Sequence, residues 1–221
     1  MLRTLISISL PKKTQQLLFY NLSKVWIHPW RGIDFHRKRH EVNSDHYLDI
    51  VNQLKPGDVL LSRLDNFLTN AFISGESKRP MIHAAMYVGK SFDEQLQHGV
   101  VHAVHPKVRR DEFASYLDID GLQVWRTDLL SEEDKDIVCK RAKNTYNENI
   151  NYDYDFLGDM EGVSEKRAYM ELYCSELVAF SYKPFMDKGL KFDIGKRFGY
   201  PTYVPDTFIR KGEGFYKVLE A

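Results

Sequence analysis

The sequence has little of what marks several large classes of protein. Its 221 residues include two cysteines, Cys139 and Cys174, which are too few for a disulfide framework and lack metal-ligand spacing. No run approaches the ~18 to 20 apolar residues that cross a bilayer, so no transmembrane helix is predicted. The 31 basic and 31 acidic residues balance, which gives no general attraction for nucleic acid. With 43% hydrophobic residues the chain can bury a substantial core, which excludes a disordered protein.

Charge is nevertheless unevenly spread along the chain. Residues 1–45 hold eight Lys or Arg and three Asp or Glu, a net charge of +5, together with aromatic residues such as Trp26 and Trp30. This combination favours peripheral contact with an anionic membrane surface, although a solvated helical arm docked on the main domain is the commoner reason for a charge run. We interpret residues 1–45 as an N-terminal helical extension. Serines interrupt the apolar start and no small-residue cleavage site follows, so we expect it to be retained and the protein to be cytoplasmic.

Residues 46–221 predict one α+β domain. Short strands are predicted at 59–61, 81–89, 100–106 and 122–126, with the second and third paired antiparallel. Helices are predicted at 65–74, at 131–146 after a capping Ser131, and from Cys174 onward. The helix at 131–146 is expected to bury Ile137, Val138, Ala142 and Tyr146. Residues 191–210, which contain two glycines and two prolines, predict a long loop that either shapes a substrate cleft or wraps the domain.

Cys174 is the first candidate for chemistry, because it stands where an extended segment passes into a helix. Backbone N–H groups and the helix dipole at such a position stabilise an anion, which favours the reactive thiolate. Taken alone, a cysteine before Leu177 and Val178 is more often a small buried hydrophobe. Cys139 lies inside the amphipathic helix, where that structural role is stronger still.

Histidines supply the second candidate group. His83 lies on an apolar strand and needs a partner for its ring nitrogens if it is buried. If the strands at 81–89 and 100–106 pair, His102 shares a face with His83, and cross-strand neighbours come within ~5 Å. A helix-start cysteine, a strand histidine and a second polar residue form the nucleophile, base and orienting group of thiol hydrolases. His83, His102 and His105 could instead bind a metal, but no further ligand completes that set, so we expect no metal and no cofactor.

Five segments together resemble a known family. They are Lys55–Arg63, Ile82–Gly89, Val100–Ala103, Tyr152–Phe156 and Tyr173–Leu177. In this order they resemble the circularly permuted NlpC/P60 cysteine hydrolases, the YiiX/YebB-like group of permuted papain-like amidases. The order is informative, since papain and ordinary NlpC/P60 enzymes have the cysteine before the histidine. Here the histidine strand comes first and the cysteine helix last.

The resemblance implies both a fold and a set of site residues. The fold would be permuted papain-like, with an antiparallel sheet packed against the nucleophile helix. Cys174 matches the nucleophile and His83 the base, while His102 takes a position often held by glutamate. Tyr152, Asp153 and Tyr173 match segments that support the site or line it for substrate, and Phe156 belongs to the same segment as Tyr152.

The function implied is that of a cysteine hydrolase, an amidase or peptidase that cleaves an amide or ester through an acyl-thioester on Cys174. Small peptides, amides and acyl lipids are the expected substrates, and nucleic acid is not an expected partner. Two alternatives stay open at this point. One is a lipid-directed thiol acyltransferase or esterase, and the other is a non-enzymatic binding module on the same scaffold.

Overall fold

The computed structural model describes residues 41–64, 81–90, 96–152, 171–197 and 200–221, together with two strands at 26–28 and 32–34. The strands are β1 (Trp26–His28), β2 (Gly32–Asp34), β3 (Val59–Arg63), β4 (His83–Gly89), β5 (Gly99–Val104), β6 (Lys107–Glu112), β7 (Gly121–Arg126), β8 (Asn151–Tyr152), β9 (Glu171–Leu172), β10 (Gly195–Arg197), β11 (Tyr200–Thr202) and β12 (Tyr216–Glu220). The helices are α1 (Tyr47–Val51), α2 (Phe113–Tyr116), α3 (Glu132–Asn147) and α4 (Cys174–Tyr182), with 3-10 turns at Ser44–His46 and Lys183–Lys188.

An eight-stranded sheet organises the domain, in the order β12-β7-β3-β4-β5-β6-β8-β9. Its neighbouring strands are antiparallel except for the short pair β8 and β9, which is parallel. The predicted α+β class is confirmed, as are the four predicted strands and the antiparallel pairing of β4 with β5. The predicted helices at 131–146 and from Cys174 onward are also present, whereas the one predicted at 65–74 lies outside the described residues.

Helices cover both faces of this sheet. α3 and α4 pack on the first face, where the core includes Ala84 and Met86 of β4. α1 and α2 contribute to the core of the second face, which includes Ala85 and Tyr87. Successive residues of β4 therefore point to opposite faces, as the pleat of a strand requires. Among the described residues no helix is both long and apolar enough to cross a membrane.

A tight turn positions the central strand β3. Pro56 and Gly57 occupy its middle, Gly57 has a φ of +91°, and the Asp58 N–H donates to the Lys55 carbonyl at 3.0 Å. This conformation favours proline followed by glycine. The Asp58 carboxylate, which is 1% exposed, accepts from the Lys55 N–H at 2.8 Å and from two nitrogens of Arg126 at 2.7 Å each. The Gly-Asp motif therefore fixes the entry to β3 against β7.

Two segments of the N-terminal extension are strands and not the predicted helix. β1 and β2 form an antiparallel pair with Ile27 opposite Ile33. Aromatic and β-branched residues such as Trp26 and Ile27 favour a strand over a helix, and Pro29 between the two segments disfavours a helix through both. The helical prediction is wrong for these two segments.

The structure corrects one residue predicted to be buried in α3 and distinguishes the two roles considered for residues 191–210. Ile137 is 46% exposed and does not belong to the buried side of α3, whereas Val138 and Ala142 are buried as predicted, Cys139 is buried with them, and Tyr146 is partly buried against the core. The segment 191–210 contains the strand pair β10–β11, and the side chains from 202 to 209 are buried apart from Val204, which is partly buried. Of the two roles considered for this segment, wrapping the domain fits these buried side chains.

Candidate active site

A chain of hydrogen bonds links three side chains across neighbouring strands of the sheet. His83 Nε2 of β4 lies 2.9 Å from His102 Nδ1 of β5. His102 Nε2 lies 2.9 Å from Asp111 Oδ2 of β6. The Arg109 guanidinium donates to the other oxygen of Asp111, Oδ1, at 3.0 Å. His83 and Asp111 are partly buried, and His102 is 7% exposed.

Strand register explains why these side chains meet. Met86 pairs with Val101, and His102 pairs directly with Arg109. In both strand pairs the hydrogen-bonded side chains are therefore diagonal neighbours on one face, within reach of long polar side chains. The prediction that His83 and His102 share a face is confirmed by this contact.

Cys174 is the first residue of α4, and it is 5% exposed. The Tyr173 carbonyl accepts from the Leu177 N–H at 3.0 Å, which closes the first turn. The Glu176 carboxylate accepts from the Tyr173 N–H at 3.4 Å, in the manner of a capping box. The thiol Sγ lies 3.8 Å from the Ser175 hydroxyl oxygen. The Tyr-Cys-Ser-Glu motif thus sets the start of the helix at the cysteine.

Tyr116 of α2 connects the cysteine electrostatically to the histidines. Its ring centroid lies 6.2 Å from that of His83 and 5.6 Å from that of His102, and its hydroxyl donates to Ser62 Oγ at 2.9 Å. Burial raises the pKa of the Tyr116 phenol, the bond with Ser62 lowers it, and negative charge at Cys174 raises it further. Cys174 is therefore close enough to influence a side chain that packs on both imidazoles.

The electrostatics of the group suit a neutral base. Burial lowers the pKa of His83 well below its ordinary value, and the neighbouring His102 lowers it further. The bond with His102 holds the pKa of Asp111 below its ordinary value, and Arg109 acts in the same direction. At neutral pH, His83 is therefore an uncharged imidazole and Asp111 a carboxylate.

The chain just before Cys174 and just before His83 is tied to the segment that follows α4. The Tyr203 N–H donates to the Tyr173 hydroxyl at 3.0 Å, directly before Cys174. Asp206 Oδ1 accepts from the Met81 N–H at 3.2 Å, two residues before His83. The segment that follows α4 therefore holds the chain just before Cys174 and just before His83.

The other predicted site residues are Tyr152, Asp153 and Tyr173. Tyr173 is 1% exposed, which indicates that it supports the surrounding structure. Its predicted role in substrate binding stays a prediction. Tyr152 is partly buried on β8 and packs against the first core, while Asp153 and Phe156 lie outside the described residues.

Two alternatives considered for histidine and cysteine can be compared with the structure. His105 is exposed beyond the end of β5. Within the described ranges no group of three or more His, Cys, Asp or Glu side chains is arranged to hold a metal ion. Cys139 is buried in the first core, and burial raises its pKa to about 12, which makes this thiol unreactive at neutral pH.

Two members of the group, Asp111 and Tyr116, were not predicted from the sequence. A signal for Asp111 existed, because β5 and β6 are joined through only His105 and Pro106, with Val104 opposite Lys107. A hairpin through that turn brings Asp111 diagonal to His102. β6 consists mostly of charged residues and lacks the apolar alternation by which strands are predicted, so this strand was not predicted. Tyr116 follows in a short helix after β6 and had no comparable signal.

Comparison with known proteins now identifies the family. The family described as permuted papain-like amidase enzyme, YaeF/YiiX, C92 family matches residues 53–199, a range that contains Cys174 and both histidines. The chain belongs to the permuted papain-like amidases. A crystal structure of metalloprotein yiiX from Escherichia coli O157:H7 is similar in fold, with a TM-score of 0.56 and 16% identity over 76% of this chain and 98% of that chain. No curated protein matches.

Membership of the permuted papain-like amidases confirms the resemblance carried by the motif order. It also confirms the expected fold, with an antiparallel sheet packed against α4. The chain is accordingly an enzyme of the cysteine hydrolase type.

Proposed function

We propose that the protein hydrolyses an amide bond through an acyl-thioester on Cys174, with His83 as the base and His102 as the group that orients it. The observation that carries the proposal is the contact between His83 Nε2 and His102 Nδ1. It occupies one ring nitrogen of His83, and we assign the other, Nδ1, to the proton of the thiol. A base oriented through its other nitrogen is the arrangement that activates a thiol nucleophile.

The first half of the reaction forms the acyl-enzyme. His83 Nδ1 takes the proton from Cys174 Sγ, and the thiolate attacks the substrate carbonyl. The oxygen that becomes negative is stabilised by the N–H of Cys174 at the start of α4. The carbon–nitrogen bond then breaks as His83 gives its proton to the leaving amine.

The second half returns the enzyme to its starting state. His83 takes a proton from water, and the resulting hydroxide attacks the thioester carbonyl. The carbon–sulfur bond breaks, the acid leaves, and His83 returns the proton to Cys174. The neutral state of His83 supports this role, because a base must be unprotonated to accept the thiol proton.

Among substrates, we propose small peptides and amides, since the family is one of amidases. An acyl lipid is the alternative, and it would make the protein an esterase or acyltransferase. A panel of fluorogenic aminoacyl amides, fatty acyl esters and acyl-donor lipids with an amine acceptor separates these outcomes. Turnover of the amides alone supports the proposal, and turnover of the lipids alone contradicts it.

The nucleophile is tested by labelling with iodoacetamide at neutral pH, followed by peptide mapping. We expect labelling of Cys174 and not of the buried Cys139. Cys174→Ala should abolish turnover of every substrate found in the panel, because no second nucleophile replaces the thiol. Cys139→Ala is the matched control and should retain turnover. Undiminished activity of the Cys174→Ala protein would refute the assignment.

A further inference from the structure

We propose that Asp111 is a positioning residue that fixes the tautomers of both active-site histidines and so keeps the lone pair of His83 on the nitrogen available to Cys174. This inference rests on the proposed function of His83 as base. It adds a carboxylate on a third strand to the cysteine and two histidines considered so far.

The hydrogen between Asp111 and His102 belongs to the histidine. An ionised carboxylate has no hydrogen to donate and only accepts hydrogen bonds. The pKa of Asp111 is held low by the bond with His102, and Arg109 acts in the same direction, so Asp111 is ionised at neutral pH. The contact of 2.9 Å between His102 Nε2 and Asp111 Oδ2 therefore requires the hydrogen of His102 to be on Nε2.

The position of the hydrogen on His102 determines the position of the hydrogen on His83. In the proposed state His102 is uncharged and carries one N–H and one lone pair, so its Nδ1 is an acceptor once its Nε2 carries the hydrogen. The contact of 2.9 Å with His83 Nε2 then requires the hydrogen of His83 to be on Nε2. The remaining lone pair of His83 is consequently on Nδ1. One carboxylate thus determines the state of a nitrogen two residues away in the chain of hydrogen bonds.

The substitution Asp111→Asn tests this chain of hydrogen bonds. The side chain of asparagine ends in one oxygen and one NH₂ group. The contact with Arg109 determines which of these two groups faces His102. The guanidinium only donates and contacts Asp111 Oδ1 at 3.0 Å, so the amide oxygen will face Arg109 and the NH₂ will face His102. The chain of hydrogen bonds then reverses, and His83 carries its hydrogen on Nδ1, where it cannot accept the thiol proton.

Histidine side-chain ¹⁵N NMR of the full chain provides the decisive measurement. In the wild type we expect Nε2–H on both His83 and His102. In Asp111→Asn both hydrogens should move to Nδ1, and in Asp111→Glu, which keeps an acceptor-only group, the wild-type tautomers should remain. Wild-type His83 with its hydrogen on Nδ1 would overturn the proposal, and this spectrum decides even if a variant does not fold.

Labelling of Cys174 by iodoacetamide supplies the functional measurement. We expect Asp111→Asn to lose about 10²-fold or more of the labelling rate, the usual contribution of a positioned base. Asp111→Glu should retain most of the rate. The double variant Asp111→Asn with Arg109→Ala should recover part of it, because the amide is then free to turn its oxygen toward His102.

The matched control is Asp118→Asn, which makes the same chemical change at an exposed residue after α2. It should leave both the labelling rate and the tautomers unchanged. Wild-type labelling and tautomers in Asp111→Asn would also overturn the proposal. An unreactive Cys174 in the wild type would instead contradict the proposed function, and the tautomers of the wild-type histidines would still test the role of Asp111.

Discussion

The side chains of the candidate site divide into those whose role the sequence could indicate and those that depend on register. Cys174 and His83 lie in recognisable motifs, and a predicted pairing of two strands was enough to bring His102 to His83. Asp111 needed the position of the next turn as well, because shifting a strand by one residue moves its side chains to the other face. Register of this kind is a property of paired strands, and the residue types of β6 alone do not contain it.

The lowered pKa of His83 predicts how stability depends on pH. Between that lowered pKa and about 6.5, the unfolded chain binds a proton at His83 that the folded protein does not. The free energy of unfolding therefore rises with pH through this window and falls on acidification, by at most about 1.4 kcal/mol per pH unit. Asp111 adds a loss at lower pH, because its stabilisation is present above its unfolded pKa and disappears as pH falls through its folded pKa.

This dependence is measured by urea unfolding of the wild type and of His83→Gln from pH 8 to pH 5. The difference between the two proteins isolates His83 from the other seven histidines of the chain. The wild type should lose more stability than the variant as pH falls below about 6.5. Parallel curves for the two proteins would contradict the assignment of a neutral, buried imidazole.

Among the elements, the strands and helices that bury apolar side chains could be predicted, and those held by pairing alone could not. β3, β4 and β5 carry apolar side chains to both faces of the sheet, and α4 is buried along its whole length. β6 has one fully buried residue, Val108, and exists because a short turn returns the chain against β5. The strand pair β1–β2 was missed because the prediction for this segment rested on its charge, which says little about backbone conformation, and not on the strand preference of Trp26 and Ile27.

One buried ion pair, between Asp58 and Arg126, joins the start of β3 to β7. Arg126→Ala would leave the Asp58 carboxylate, 1% exposed, without the two charge-assisted hydrogen bonds that Arg126 donates. Removing one partner of a buried pair typically costs about 3 to 5 kcal/mol. Arg126→Lys should recover only part of this, since an ammonium cannot donate in the same forked geometry.

Urea unfolding at neutral pH measures the cost, and the ion pair of Lys217 with Glu220 on the edge strand β12 provides the control. Its side chains are 39% and 54% exposed, so Lys217→Ala should cost less than about 1 kcal/mol. Equal losses for Arg126→Ala and Lys217→Ala would mean that Asp58 and Arg126 do not organise the start of β3.

At the scale of the whole molecule, residues 41 and 42 contact the domain directly. Val42 exchanges two backbone hydrogen bonds with Ile119, at 2.9 and 3.1 Å, and is 2% exposed. Glu41 pairs with Arg63 at 3.1 Å. The attachment to the domain therefore includes residues 41 and 42, and removal of residues 1–40 leaves it in place. The removed residues hold eight Lys or Arg and one acid, Asp34.

The net positive charge of residues 1–40 predicts that anionic membranes are bound through this segment. Each Lys or Arg near an anionic surface contributes about 1 kcal/mol, and the aromatic residues add interfacial affinity. The full chain should co-sediment with phosphatidylserine-containing vesicles and much less with neutral phosphatidylcholine vesicles, and salt should weaken the binding by screening. The protein lacking residues 1–40 should stay in the supernatant while its Cys174 keeps the wild-type labelling rate. Equal sedimentation of both proteins would assign membrane binding to the domain, and no sedimentation of either would leave the basic segment as a solvated surface.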